Sequence, residues 1–345
     1  MSSFHNLILS IDGGGTKTNA VICDLDGHVL GLATAGASNY HSLGIATTKQ
    51  NIFEAISAAL SIAGITDNCC FQLAFFGLAG LDHPQDLPNY KAIIKDLPWP
   101  IKYLNIINDA RLSLALVNAG GPGVIVVSGT GSIAYGINSL GQEARAGGWG
   151  YLLGDEGSGY DLGLKTLRTV TKALDDCLAA DRLTSSLLEY LQLDSASELT
   201  DYFYKKPKAP SEIASIARLT HQLAQEGDAI SQNLCLEASK ELALIAYTVL
   251  KKLTMTDTTV NVGLSGGAFQ SDFLVNAFCQ DLLKKAPKIK IAPLELPAVY
   301  GGLILALNYY HNQLTLNREQ PEIHEHYSIE AIIQKWKKQR TVAVL

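Results

Sequence analysis

The sequence predicts an α/β protein built from two related domains. Three observations carry this. Short apolar stretches of strand length alternate with segments of helical periodicity. The segment 123–141, GVIVVSGTGSIAYGINSLG, repeats the pattern of 7–27, LILSIDGGGTKTNAVICDLDG: apolar strand, glycine hairpin, second strand, and a turn ending in Gly. Finally, 345 residues are too many for one comfortable core and suggest about two.

The chain opens on strand signals. NLILSI (6–11) and TNAVICDLDG (18–27) are apolar, and HVLGLAT (28–34) follows an Asp26-Gly27 turn, so an antiparallel meander is expected. Ile52, Ala55, Ile56, Ala59, Leu60 and Ala63 then recur at helical spacing, with Gly64 where a C-cap belongs. FQLAFFGLAG (71–80) reads as a buried strand running into a glycine turn. IKYLNII (101–107) reads as another, ending at NDAR (108–111). These elements place a first domain at 1–117, a mixed sheet covered by helices.

The repeat opens a second domain at 118–310. Most of 158–253 carries helical periodicity, a helical expansion of that domain. TTVNVGLSGGAFQ (258–270) is a strand entering a glycine turn. AVYGGLILALNYY (298–310) begins a last apolar helix, expected to pack back on the first domain. Residues 311–345 read as a polar tail.

Composition narrows the function. With 47% hydrophobic and 17% charged residues the chain is a folded globular one. A net charge of -6, with no Lys/Arg run, argues against a nucleic-acid partner; KKPK (205–208) reads as a solvated loop. MSSFHNLILSI lacks the marks of a signal peptide, and the apolar runs break before the ~20 residues of a membrane span, so no membrane partner and a cytoplasmic location are expected. Cys23, Cys69, Cys70, Cys177, Cys235 and Cys279 are scattered, which suits free, mostly buried thiols.

Five stretches can carry chemistry. In IDGGGTKT (11–18), three successive glycines permit positive φ and close backbone approach, as an anion cradle of N–H groups requires. Thr16 and Lys17 add phosphate donors. Asp12 is a hard oxygen ligand of the kind Mg2+ takes, through water. A plain glycine turn is the competing reading. SGTGS (128–132) alternates Gly with hydroxyl residues and is a second cradle, stronger for being paired with the first across the repeat.

LSGGAFQS (264–271) offers Gly-Gly between strand and helix, either an ordinary turn or a place for adenine against backbone. In NDAR, Asp109 either caps a helix or stands as a general base at the C-terminal edge of a sheet. The fifth stretch is GGWGYLLGDEGSGY (147–160), whose glycines flank Trp149 and the Asp155-Glu156 pair. Slack loop, phosphate cradle and pocket wall all fit its composition.

In this order the motifs resemble those of the actin/hexokinase/Hsp70-type ATPase fold. DGGGTKT and SGTGS resemble its two phosphate motifs, and LSGGA its adenosine motif. GASNYHSLG (36–44), SGTGS and GGWGYLLGDEGSGY resemble the N-acetylglucosamine kinase branch grouped with the BadF/BadG/BcrA/BcrD ATPases.

That resemblance implies two ribonuclease H-like domains around a nucleotide cleft, and a kinase using ATP and Mg2+ on the 6-hydroxyl of an amino-hexose. N-acetylglucosamine or glucosamine is the expected substrate, ahead of N-acetylmuramic acid. Asp109 would be the base. Asn39, Trp149, Gly150 and Asp155 would line the sugar site. Gly14, Gly15, Thr16, Lys17, Gly129, Thr130, Gly266 and Gly267 would hold ATP, and Asp12 would organise Mg2+. Family habit implies a homodimer. The alternatives are an activator ATPase of a radical dehydratase, which needs cluster-binding cysteines in defined positions, and a non-catalytic amino-sugar sensor, which would lose the base. His41 reads as a loop-packing residue, Glu156 as support for a turn or helix start, and Arg145 is left unassigned.

Overall fold

Each half of the chain builds the same five-stranded sheet. The computed structural model describes residues 6–65, 69–81, 83–317 and 328–343. Two units divide the chain: 1–121 together with 294–345, and 122–293.

In the first unit the order is β1 (Leu7–Gly13), β2 (Lys17–Asp24), β3 (Val29–Gly36), α1 (Tyr40–Ile62), β4 (Phe71–Leu78), α2 (Leu87–Lys95), β5 (Ile101–Ile107) and α3 (Asp109–Val117). The second unit has β6 (Gly123–Ser128), β7 (Ser132–Ile137) and β8 (Glu143–Gly147). Six helices follow: α4 (Gly159–Leu174), α5 (Asp181–Leu191), α6 (Glu198–Tyr204), α7 (Pro210–Ser215), α8 (Ala217–Gln225) and α9 (Ala229–Lys252). Then come β9 (Asn261–Ser265), a 3-10 turn (Gly267–Gln270), α10 (Asp272–Lys285) and β10 (Lys290–Pro293). The chain ends in α11 (Val299–Asn317) and α12 (Ile329–Ala343), both in the first unit.

The strand orders are β3-β2-β1-β4-β5 and β8-β7-β6-β9-β10. In both, the first three strands are antiparallel and the last two add in parallel. The sequence repeat is therefore a repeat of the whole sheet. The six helices α4–α9 occupy the crossover of the second copy that α1 alone fills in the first.

Burial explains the strand sequences. Along β1, Leu7, Leu9 and Ile11 pack with Ile52 and Ile56 of α1 and with Tyr90 and Trp99. Ile8 faces the other way, into a cluster with Leu303, Ile304 and Leu307 of α11. With both faces covered, the strand reads as a continuous apolar run rather than an alternation. The glycine pair of α11 has a packing reason: a Cβ on Gly301 would collide with the Leu112 carbonyl, and one on Gly302 with Ser10 Oγ.

Some elements differ from expectation. α1 starts twelve residues before Ile52, capped by Asn39, and carries a break at Gly44 (φ 76°). β8, α10 and β10 have no clear sequence signal; β10 is only four residues, KIAP. The stretch expected as a polar tail is different in its described parts. Residues 311–317 continue α11, and α12 buries Ile329 and Trp336. Those two residues, with Ile332 and Ile333, repeat at i, i+3, i+4 and i+7, the apolar stripe of a packed helix. Residues 318–327, 344 and 345 of that stretch lie outside the described ones. Among the described residues no helix is long and apolar enough to cross a membrane.

Candidate active site

In the first unit the predicted residues gather at the C-terminal ends of the parallel strands β1, β4 and β5, the edge where open α/β sheets bind ligands. The β1–β2 turn closes with Gly14 N–H donating to the Lys17 carbonyl at 2.9 Å. It is braced from behind: Ala79 N–H donates to Gly13 O at 2.8 Å and Ser38 N–H to Gly14 O at 3.0 Å. Gly15, Thr16 and Lys17 form an exposed tip.

The expected reason for the glycines is corrected. None of Gly13, Gly14 and Gly15 is among the glycines at positive φ. At Gly13 the requirement is close approach, since a Cβ would collide with Ser38 Oγ and stand 2.6 Å from Leu78 Cδ2. Gly15 faces open space.

Asp12 precedes this turn. Thr34 Oγ1 donates to Asn19 Oδ1 at 2.9 Å, which orients the amide so that its Nδ2 donates to Asp12 Oδ2 at 3.2 Å. Burial pushes the Asp12 carboxyl above its ordinary range, opposed by the Asn19 hydrogen bond and the Lys17 charge.

At the end of β5 the cap position is taken by Asn108, whose side chain accepts from Ala110 N–H at 3.0 Å. Asp109 is therefore the first residue of α3 and not its cap. Its charge reaches Tyr90, whose phenol is raised above its ordinary range first by burial and then by neighbouring charges, Asp109 among them. Tyr90 Oη donates to Ala79 O at 2.6 Å. Asn39 meets the same turn from the other side: a Cβ on Gly80 (φ 84°) would stand 2.8 Å from Asn39 Oδ1.

In the second unit the SGTGS hairpin and the 147–160 loop are clasped together. Ser128 Oγ donates to Gly157 O at 2.9 Å and Ser132 Oγ to Glu156 O at 2.8 Å. Gly159 N–H donates to Gly129 O at 2.8 Å, and Ser158 caps α4. Gly147, Gly148, Gly150 and Gly157 all take positive φ, and so does Asp155 (φ 62°), which is 7% exposed. This loop is not slack.

Gly129 and Gly131 do not take positive φ; Thr130 sits between them. Gly266 does, at 105°, and a Cβ there would collide with the Ser128 carbonyl, so the turn after β9 lies against the start of the hairpin. Gly267 faces open space. Trp149 is 63% exposed, with the Arg145 guanidinium 5.2 Å over its ring. That gives Arg145 a contact the sequence did not indicate.

Within the second unit the structure thus joins Gly129, Thr130, Asp155 and Gly266, and leaves Trp149, Gly150 and Gly267 exposed. Sequence reasoning missed Ser38, Asn19 and Ser158. Each is a small polar residue whose value lies in a partner distant in the chain or one helical turn away. Among the described residues the six cysteines form no disulfide, and none belongs to a group of three potential metal ligands.

A duplicated mixed sheet, with a glycine hairpin after the first strand of each copy, is the architecture of the actin/hexokinase-type fold. The chain belongs to the BadF/BadG/BcrA/BcrD ATPase family, whose model matches residues 9–302. It is 35% identical to the N-acetylmuramic acid/N-acetylglucosamine kinase of Clostridium acetobutylicum, over 87% of this chain and 97% of that one. It is 33% identical to the N-acetyl-D-glucosamine kinase of Dictyostelium discoideum, over 88% and 98%. A crystal structure from Chromobacterium violaceum, of a protein provisionally named an N-acetylglucosamine kinase, is similar with a TM-score of 0.72 and 26% identity, over 88% of this chain and 99% of that one.

Proposed function

We propose that this protein is an ATP-dependent kinase that phosphorylates the 6-hydroxyl of N-acetylglucosamine. The observation that carries the reading is the near full-length similarity to two N-acetylglucosamine kinases. It is supported by Asp109, which stands at the strand edge where a base is needed while Asn108 takes the helix cap.

In this reading Asp109 accepts the proton of the 6-hydroxyl as that oxygen bonds to the γ-phosphorus and ADP leaves. Phosphoryl transfer needs little covalent help; positioning and charge neutralisation supply most of the rate. Asn39 would take a sugar hydroxyl, and the N–H groups of Gly15 and Thr16, with Lys17, would take phosphate, while Gly14 N–H closes the turn that presents them. Gly129 and Thr130 are assigned to phosphate, Gly266 and Gly267 to adenine, Asp155 to sugar hydroxyls, and Trp149 and Gly150 to an apolar sugar face.

The donor set fits Mg2+. Asp12 offers one hard oxygen donor, a carboxylate that burial leaves poorly solvated and that Asn19 Nδ2 holds in place. Bound there, the ion would neutralise phosphate charge. A homodimer with a small-molecule amino-sugar partner rests on the family resemblance, and the cytoplasmic location expected from the sequence completes the reading.

The test is ADP release over a panel of N-acetylglucosamine, glucosamine, N-acetylmuramic acid and glucose. The highest kcat/KM is expected with N-acetylglucosamine. Asp109→Asn should lower kcat by about 10²–10⁴-fold while sugar binding, read by calorimetry, survives. No acceptor-dependent ADP with any amino sugar overturns the proposal.

A further inference from the structure

Asp86 occupies the N-cap position of α2 but does not cap it. An Asp there ordinarily turns its carboxylate onto the first helical N–H groups. Pro88 in the first turn removes one of those donors. The Asp86 carboxylate, in a residue only 5% exposed, instead serves the loop before it and the start of α1.

Donors from three residues converge on it, among others. His83 N–H reaches Oδ2 at 2.9 Å, and Tyr40 Oη donates to Oδ1 at 2.6 Å. His41 Nε2 lies 3.1 Å from the same Oδ1. His41 Nε2 is also 3.1 Å from the Gly80 carbonyl. Both neighbours are acceptors, so Nε2 carries the proton and the tautomer follows from its partners. Asn89 Nδ2 donates to Tyr40 Oη at 3.3 Å and extends the set. A carboxylate this buried persists only where hydrogen bonds offset its desolvation.

What the network holds is the turn after β4. Ala79 O takes the Tyr90 hydroxyl, Gly80 O takes His41, and Leu81 O takes Asn108 Nδ2 at 3.5 Å. Asn39 rests against Gly80, and Asn108 immediately precedes Asp109. The turn therefore joins a residue assigned to sugar binding with the residue assigned as base.

We propose that Asp86, acting through His41 and Tyr40, is a positioning residue that sets the 79–81 turn and Asn39 in register for the sugar. It touches no substrate itself. The inference rests on the kinase reading. The competing role is purely structural, a tie between α1 and α2 that bears equally on everything the protein does.

Steady-state kinetics and calorimetric binding of N-acetylglucosamine distinguish the two roles. Asp86→Asn should raise the sugar KM and Kd by about tenfold or more, with the ATP KM within about twofold of wild type. His41→Ala should do the same to a smaller extent. His41→Gln, which keeps an N–H donor, should recover most of that loss. The double variant Asp86→Asn/His41→Ala should be little worse than Asp86→Asn alone, because both break one network.

Sugar and ATP constants moving together, an uncorrected His41→Gln, or multiplying effects would overturn the positioning role. If Asp86→Asn does not fold, Tyr40→Phe and His41→Ala carry the same comparison. A wild type that binds the sugar without phosphorylating it ends the kinase reading, and the Kd ratios still decide the role of Asp86.

Discussion

Asp155 Oδ2 lies 2.5 Å from the point where a Cβ on Gly131 would stand. The carboxylate fills the space that a side chain at 131 would need. The glycine hairpin and the acidic loop are thus one piece of structure, and the glycine at 131 is there for the neighbour, not for its own backbone angles. Asp155 itself takes a positive φ, a conformation uncommon outside glycine though tolerated best by Asn and Asp. Such a residue persists when its surroundings over-determine it. Here they do, through the hydrogen bonds of Ser128, Ser132 and Gly159.

Gly131→Ala should therefore displace Asp155 rather than unfold the hairpin. The expected outcome is a sugar KM raised by about tenfold or more, with a smaller rise in the ATP KM, since a misplacement near 1 Å at a binding group is costly. Initial-rate kinetics with each substrate varied in turn checks it. A sugar KM equal to that of wild type would detach Asp155 from the sugar.

The same contact shows where sequence reading runs out. The strands and the duplicated hairpins were legible because apolar runs and glycine spacing are local signals. The reasons for individual glycines were not. Gly13 is fixed by Ser38 and Leu78, and Gly131 by Asp155, all distant in the chain, whereas the local reading gave positive φ and close approach to a ligand for the first hairpin and a bare Gly-hydroxyl alternation for the second. Asp109 could be separated from the cap position only once Asn108 was seen to precede α3 in extended backbone, although both side chains accept from Ala110 N–H. Asp86 carried no signal in the sequence, because its partners Tyr40 and His41 lie more than forty residues away. In α12 the apolar stripe was hidden by its lysine- and arginine-rich neighbours.

Trp336 measures what that last helix contributes. Its ring is 1% exposed and packs 5.3 Å from the Tyr300 ring, and its Nε1 donates to Gly27 O at 2.8 Å. Trp336→Ala removes a large buried aromatic and should cost about 3–5 kcal/mol. Trp336→Phe keeps most of the apolar body but leaves the Gly27 carbonyl without this donor, and should cost about 1–3 kcal/mol. Urea denaturation reads both. A Trp336→Ala protein within about 0.5 kcal/mol of wild type would make α12 an appendage after all.

The last prediction concerns acid. His221 of α8 is buried against α9, with Nδ1 3.5 Å from Cys235 Sγ and Nε2 without a hydrogen-bond partner among the described residues. Burial lowers its pKa from 6.5 to about 4. The folded state therefore resists the proton that the unfolded chain accepts first. As pH falls from 6.5 toward 4, the unfolded state binds more protons and stability drops. The full shift corresponds to about 3 kcal/mol, present above the unfolded pKa and lost as pH falls through the folded one. His221→Leu removes this contribution while leaving the carboxylates as they are. Its stability relative to wild type should therefore improve steadily from pH 7 to pH 4.5, whatever its offset at neutral pH. Urea midpoints at pH 7, 5.5 and 4.5 measure the trend, and parallel curves for the two proteins would show that His221 is not the group responsible.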